Sequence, residues 1–310
     1  MTTGQGAGPA AAWSDWPAPA KLNLFLHIVG RRSDGYHLLQ TVFQLLDWGD
    51  EVRLRVRDDG EIERVDPLPG VAAADDLAVR AAKALQAASG VRWGADIAID
   101  KRIPLGGGLG GGSSDAATTL VALNALWDAG LDTEQLAALG MKLGADVPVF
   151  VRGSSAWAEG IGERLTPLSL PRCWYVIVDP GASVPTAALF AAAELTRNAA
   201  HLTIPLFLSG VATGNVFEPV VRERFSAVAQ ALDWLAGYGA ARLSGSGGCV
   251  FAAVESRETA MDIVEKCPPG MRAFVARGVA QSPLPARLQE WRGAMREAGL
   301  RERGGADAGG

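Results

Sequence analysis

Cysteine and histidine are scarce: this chain of 310 residues has three of each. Cys173, Cys249 and Cys267 are odd in number and far apart, which argues against a disulfide framework and reads as a set of reduced thiols. Three dispersed histidines add nothing that would assemble a zinc site. Long apolar runs are missing too, since no stretch approaches the roughly 18 residues a spanning helix needs. No Lys or Arg precedes Lys21 to serve a signal or transit peptide, so the expectation is a cytoplasmic protein without a membrane partner. Nor does one sign of charge dominate. With 29 basic and 34 acidic residues the net is −5, which argues against an extended nucleic-acid surface. What is present, 48% hydrophobic and 20% charged residues, is the composition of a folded globular chain of one large or two medium domains.

Both ends, residues 1–16 and 302–310, are rich in Gly and Ala without a period and read as mobile tails. From Lys21, Leu22, Leu24, Leu26 and Ile28 alternate with Lys21, Asn23, Phe25 and His27, as in a half-buried strand with one polar face. Turn chemistry at Arg32-Ser33-Asp34-Gly35 leads to extended segments near 38–47 and 51–57. Asp75 or Asp76 can cap a helix bearing Leu77, Ala81 and Leu85 and ended by Gly90, after which a strand over 96–103 meets Pro104. Helical patterns follow over 113–128 and 133–143, the second opened by Asp132 and Gln135 and closed by Gly144. Further on the order is strand 174–179, helices 186–196 and 220–236, strands 240–244 and 249–254, helix 256–266 and strand 272–279. That β-α-β-β-α-β order predicts a ferredoxin-like split βαβ unit. The expected class is α+β in two domains, 17–167 with a mixed β-sheet and helices and 168–285 ferredoxin-like, with no internal repeat.

Between the 96–103 strand and the 113–128 helix lie six glycines in seven positions, Gly106-Gly107-Gly108-Leu109-Gly110-Gly111-Gly112. Without Cβ atoms such a backbone turns through positive φ and brings its N–H groups close to a ligand, and the helix after it adds partial positive charge at its start. Phosphate binding is the expected use. A Walker loop is excluded, because Ser113 comes directly after Gly112 with no lysine. Gly106, Gly108 and Gly111 formally match a dinucleotide fingerprint, but the acidic residue it requires would be Asp132, at a helix start instead of a strand end. Protein-kinase catalytic motifs are missing.

Asp146, in Gly144-Ala145-Asp146-Val147-Pro148, is expected at a corner between a helix stop and a strand start, because Pro148 biases Val147 toward extended backbone. An aspartate accepting a hydroxyl proton is a recurrent part of phosphoryl transfer, although by itself Asp146 could equally be a turn residue. Lys21 shares a strand face with Asn23 and His27 and could be a cleft residue or a solvated one. Tyr36 and His37 could stack on a base and bond its edge, or merely pack the turn. A second glycine cluster, Ser244-Gly245-Ser246-Gly247-Gly248, reads either as a bulged hairpin or as a second anion nest.

Taken together, Pro104 through Ala117 resemble the signature of the small-molecule kinases named for galactokinase, homoserine kinase, mevalonate kinase and phosphomevalonate kinase. Within that family, Pro19-Ala20-Lys21-Leu22-Asn23-Leu24, Asp34-Gly35-Tyr36-His37 and Gly144–Phe150 are similar to the branch acting on a cytidine-diphosphate-linked methylerythritol in non-mevalonate isoprenoid synthesis, over about residues 16–282. The resemblance implies ATP-dependent phosphorylation of that substrate's 2-hydroxyl, with homoserine or a mevalonate derivative as the alternative acceptor. It also implies that Asp146 is the base and Lys21 its partner. Tyr36 and His37 would read cytosine, with Phe190 closing the other face of the ring and Asn23 and Thr186 touching polar groups. Pro104, Gly106, Gly107, Gly108, Leu109, Gly110, Gly111, Gly112, Ser113, Ser114 and Asp115 would hold the ATP phosphates, and the 244–248 cluster with Gly247 would approach from the second domain. Mg²⁺ would screen those phosphates, its ligands open and Glu159 a weak candidate. Oligomeric state is left open, and a nucleotide-binding regulator or a nicotinamide-dependent enzyme are the remaining rivals.

Overall fold

The computed structural model describes residues 12–306 apart from 69, 73 and 212, with side chains as far as residue 298. Strands β1 (Ser14–Arg31) and β2 (His37–Arg57) form a long antiparallel hairpin, on which β3 (Ile62–Arg64), helix α1 (Leu77–Ser89) and β4 (Gly94–Asp100) are built. Asp76 caps α1 by accepting the N–H groups of Ala78 and Val79, and Gly90 ends it at φ 69°. Then come α2 (Gly111–Leu126), α3 (Thr133–Met141), α4 (Val147–Arg152), β5 (Ala156–Gly160) and β6 (Arg164–Pro167). The capping box of Asp132 and Gln135 opens α3 as expected, but that helix ends at Met141, ahead of Gly144.

The remaining elements are β7 (Trp174–Asp179), α5 (Thr186–Phe190), α6 (Ile204–Leu208), α7 (Glu218–Arg224), α8 (Ser226–Ala236), β8 (Arg242–Leu243), β9 (Val250–Val254), α9 (Arg257–Glu265), β10 (Arg272–Val279) and α10 (Pro283–Ala306). Spatial order β10-β7-β9-β8, antiparallel throughout, is the split βαβ arrangement read from the sequence. β10 also pairs with β2 through Gly278 and Val279 opposite Leu46 and Leu45, so one continuous sheet joins the two halves.

Several expectations fail for identifiable reasons. Residues 14–16 are strand, not tail: Trp16 is fully buried with its ring centroid 6.1 Å from that of Trp291 on α10, a partner no local pattern reveals. Residues 302–306 continue α10, whereas 1–11 and 307–310 lie outside the described residues. α10 itself was missed, although Leu284, Leu288 and Trp291 have helical spacing and pack on the main core. The 186–196 helix is only α5, and the 220–236 helix is broken at Phe225, where φ −129° and ψ 87° interrupt the helical path.

The face of β1 expected to look outward is buried. Bulges between Pro19 and Lys21 and between Asn23 and Leu26 break its alternation. Leu22 therefore packs with Leu46, Leu109 and Tyr175, Phe25 with Val42 and Trp157, and Leu26 and Ile28 with the core of the second half. Lys21 and Asn23 are left at the seam between these clusters, both almost fully buried.

Candidate active site

Loop Pro104–Gly110 runs from the end of β4 into α2, and two of its glycines show why the backbone must be bare. At Gly108, with φ 75°, a Cβ would lie 2.1 Å from the Ser244 carbonyl oxygen; at Gly110, with φ 76°, it would lie 2.9 Å from the Phe150 ring. The second glycine cluster is the β8–β9 hairpin, and it clasps the first. The Cys249 amide donates to the Gly107 carbonyl at 3.0 Å and the Ser244 hydroxyl to the Gly108 carbonyl at 3.0 Å. Gly110 caps α2 in the left-handed conformation without a side-chain bond, so the first amides of a 16-residue helix open toward the cleft.

Lys21 joins this loop to the acidic residue. Its ammonium donates to Asn23 Oδ1 at 2.5 Å and to the Gly108 carbonyl at 2.8 Å, and lies 3.4 Å from Asp146 Oδ2. Three acceptors for three donors make burial of that charge tolerable. Asn23 in turn donates to the Thr41 hydroxyl at 2.9 Å, which locks the lysine's neighbour in place. Asp146 does not start a strand. It precedes α4, with Pro148 in the first turn, where a missing N–H costs nothing. Its carboxylate makes no capping bond and is one-third exposed, facing Lys21 across the cleft.

A cleft of about 1240 Å³ brings together Lys21, Asn23, Tyr36, His37, Asp146, Thr186 and Phe190 with Pro104 to Ser113. Ser114 and Asp115 are buried under the loop and are not on its wall, because the helix turns them inward. Gly247 is off the wall as well: its Cβ position abuts Val184 at 3.0 Å, and Gly245 and Ser246 face the cleft instead. Glu159 accepts from Gln40 at 3.1 Å, away from the cleft. Sequence reasoning missed Thr41, Phe43, Lys101 and Ile161 on the wall; only Lys101, just ahead of the loop, carried a readable signal.

At the far end His37 lies directly on Phe190, ring centroids 4.9 Å apart and planes 24° apart, and Phe217 meets Phe190 edge-on at 4.9 Å. This differs from the expected gap between Phe190 and the Tyr36–His37 turn. A base could enter only by parting the pair. His37 Nε2 is buried and has no hydrogen-bond partner among the described residues, and Thr186 shares a 2.6 Å hydrogen bond with Ser246. Desolvation, then Arg197 and Arg31, hold the His37 imidazole below its usual pKa of 6.5, so it is neutral at pH 7.

A split βαβ unit clasping a glycine loop beside a buried ammonium and a cleft-facing carboxylate defines a class, the ATP-dependent small-molecule kinases. Comparison with known proteins agrees. Residues 76–154 match the model for the GHMP kinases N terminal domain and residues 192–269 that for the GHMP kinases C terminal domain. The 4-diphosphocytidyl-2-C-methyl-D-erythritol kinase of Xanthomonas axonopodis pv. citri is 60% identical over 89% of this chain and 94% of its own length. The enzyme of the same name from Halorhodospira halophila is 58% identical over 90% and 97%. A crystal structure of 4-(cytidine 5'-diphospho)-2C-methyl-D-erythritol kinase superposes with a TM-score of 0.75 at 35% identity, covering 86% of this chain and 100% of that one. The chain belongs to the GHMP kinase family, in the branch of the 4-diphosphocytidyl-2-C-methyl-D-erythritol kinases.

Proposed function

We propose that this protein transfers the γ-phosphoryl group of ATP to the 2-hydroxyl of 4-diphosphocytidyl-2-C-methyl-D-erythritol, a step in non-mevalonate isoprenoid precursor synthesis. The observation that carries the reading is that a single nitrogen, Lys21 Nζ, touches both the Gly108 carbonyl of the loop and Asp146. A triphosphate seated on the loop amides and an alcohol seated against Asp146 therefore share one reaction centre. The acceptor oxygen attacks the γ-phosphorus while its proton passes to the Asp146 carboxylate, and ADP leaves with the electron pair of the broken P–O bond. Lys21 steadies the charge that builds between them. Residues 17–167 supply the phosphate loop and the base, and residues 168–285 supply the clasp and Phe190.

A divalent cation would enter with the nucleotide. Among the described residues no group of three His, Cys, Asp or Glu side chains is arranged to hold a metal, so Mg²⁺ is assigned to the ATP phosphates and not to a protein cage. Among the same residues no helix is long and apolar enough to cross a membrane, and the three cysteines are free, which supports a cytoplasmic assignment.

Cytosine is assigned to the His37–Phe190 pair, whose stacked rings part to admit it. His37→Ala is expected to raise KM for the cytidyl substrate about tenfold or more, on the scale of one lost stacking or edge contact, with KM for ATP within about twofold of wild type. Equal losses for both substrates would remove the assignment. Because the folded pKa of His37 lies under the unfolded one, charging it costs stability as the pH drops below 6.5, and substrate affinity should weaken in the same direction. The decisive experiment is ADP release over a panel of cytidyl substrate, homoserine, mevalonate and no acceptor. Turnover is expected with the first alone, and equal or faster turnover with either of the others would assign the acceptor differently.

A further inference from the structure

Behind the phosphate loop sits a group of charges that the proposed chemistry does not use. Lys101, on the cleft wall, donates to Asp50 Oδ2 at 2.5 Å and to Asp115 Oδ2 at 2.8 Å. The remaining oxygen of Asp50 accepts the amides of Arg102 at 2.6 Å and Ile103 at 2.7 Å, and that carboxylate is fully buried. Asp115 Oδ1 is buried with no partner among the described residues. The ammonium lies 3.3 Å from where a Cβ on Gly111 would stand, against the first residue of α2. Two carboxylates on one ammonium leave one negative charge uncompensated beside the helix start that is assigned to hold phosphates; the helix dipole favours that sign, but a phosphate bound there is repelled by it.

We infer that Asp50 and Asp115 are positioning residues that hold Lys101 at the nucleotide end of α2, and that the proton state of Asp115 tunes nucleotide affinity. Asp50 is the fixed member, because two backbone amides and the lysine already satisfy it. Asp115 is the variable one. Burial raises it most, Lys101 opposes this and Asp50 adds to it, and the balance holds its carboxyl above the usual carboxylate range. The charged groups facing it are Lys101 from the segment after β4 and Asp50 from β2; Lys21 on β1 is engaged by Asp146, and α1, α3 and α4 offer Asp115 no ion pair among the described residues. With Asp115 protonated the trio is neutral and phosphate is accepted. With Asp115 ionised the trio carries −1 and repels it. Nucleotide affinity should therefore fall as the pH rises and Asp115 ionises, above the usual carboxylate range.

This inference rests on the kinase reading, and its test separates the two. Binding of ADP in excess Mg²⁺ is measured by calorimetry from pH 6 to 8.5 on wild type and on Asp115→Asn, which keeps the shape and removes the charge. Wild-type Kd should rise about 3- to 10-fold across that range, the effect of one partly screened charge, while the variant stays flat and binds more tightly at pH 8.5. KM for the cytidyl substrate should not respond to the substitution. A variant that keeps the wild-type pH profile overturns the inference, and so does a wild type whose Kd does not change. Should the variant not fold, wild-type titrations at pH 7.5 in buffers of different ionisation enthalpy should show net proton uptake on ADP binding, and zero uptake or release would overturn it. Failure of the kinase reading looks different, since wild type would then release no ADP from any acceptor in the panel.

Discussion

Replacing Asp146 by Asn is expected to lower kcat about 10²- to 10⁴-fold while both substrates still bind. The amide has the carboxylate's shape but cannot accept the acceptor's proton. Some stability should be lost, because Lys21 is almost fully buried and Asp146 is its one ion-pair partner among the described residues, but Asp146 makes no capping bond to α4 and Lys21 retains Asn23 Oδ1 and the Gly108 carbonyl as acceptors. Steady-state ADP release together with calorimetric affinities for ATP and the cytidyl substrate checks this. Turnover within about tenfold of wild type would take the base role away from Asp146, since general-base removal costs more than that.

Gly108→Ala is the second large effect. The added methyl would stand 2.1 Å from the Ser244 carbonyl oxygen and 2.9 Å from that of Gly247, at a φ of 75°. Both obstacles are backbone, so no rotamer change relieves them, and the loop must leave the hairpin that clasps it. Moving that loop also moves the carbonyl to which Lys21 and Ser244 donate. A displacement of an ångström at a reacting centre costs about 10²-fold in kcat/KM for ATP. Gly293→Ala on α10, away from the cleft, is the control: its Cβ would meet nothing within 4 Å. If Gly108→Ala retained wild-type kcat/KM, the clasp would not be what sets the loop.

Legibility tracked the range of the forces involved. Caps were readable, because Asp76, Gly90 and the Asp132–Gln135 box act within four residues of their own helix ends. Pro148 was misread because the same ring that favours an extended neighbour also suits the first turn of a helix, and the hydrogen bonding of residues 149–153 decides between them. The 186–196 helix was overextended because alanine propensity is a weak prior against tertiary context. Lys101 was passed over since its meaning lies in Asp50, half a domain earlier in the chain, and in Asp115 beyond the glycines.

By itself the chain's amino-acid order determined the class of fold and the glycine loop between a strand and a helix, which depend on period and backbone freedom, both local. The side chains from Lys21 to Phe190 that line one cleft were singled out together only through the family resemblance. Tertiary structure alone decided that the β8–β9 hairpin clasps the loop, that Lys21 bridges Gly108 and Asp146, that His37 rests on Phe190, and that Asp115 faces a lysine and not the cleft. Each of these is a contact between different elements that no local pattern specifies, and the ones that join the two halves, the hairpin on the loop and His37 on Phe190, accompany the pairing of β10 with β2 that makes one sheet of them.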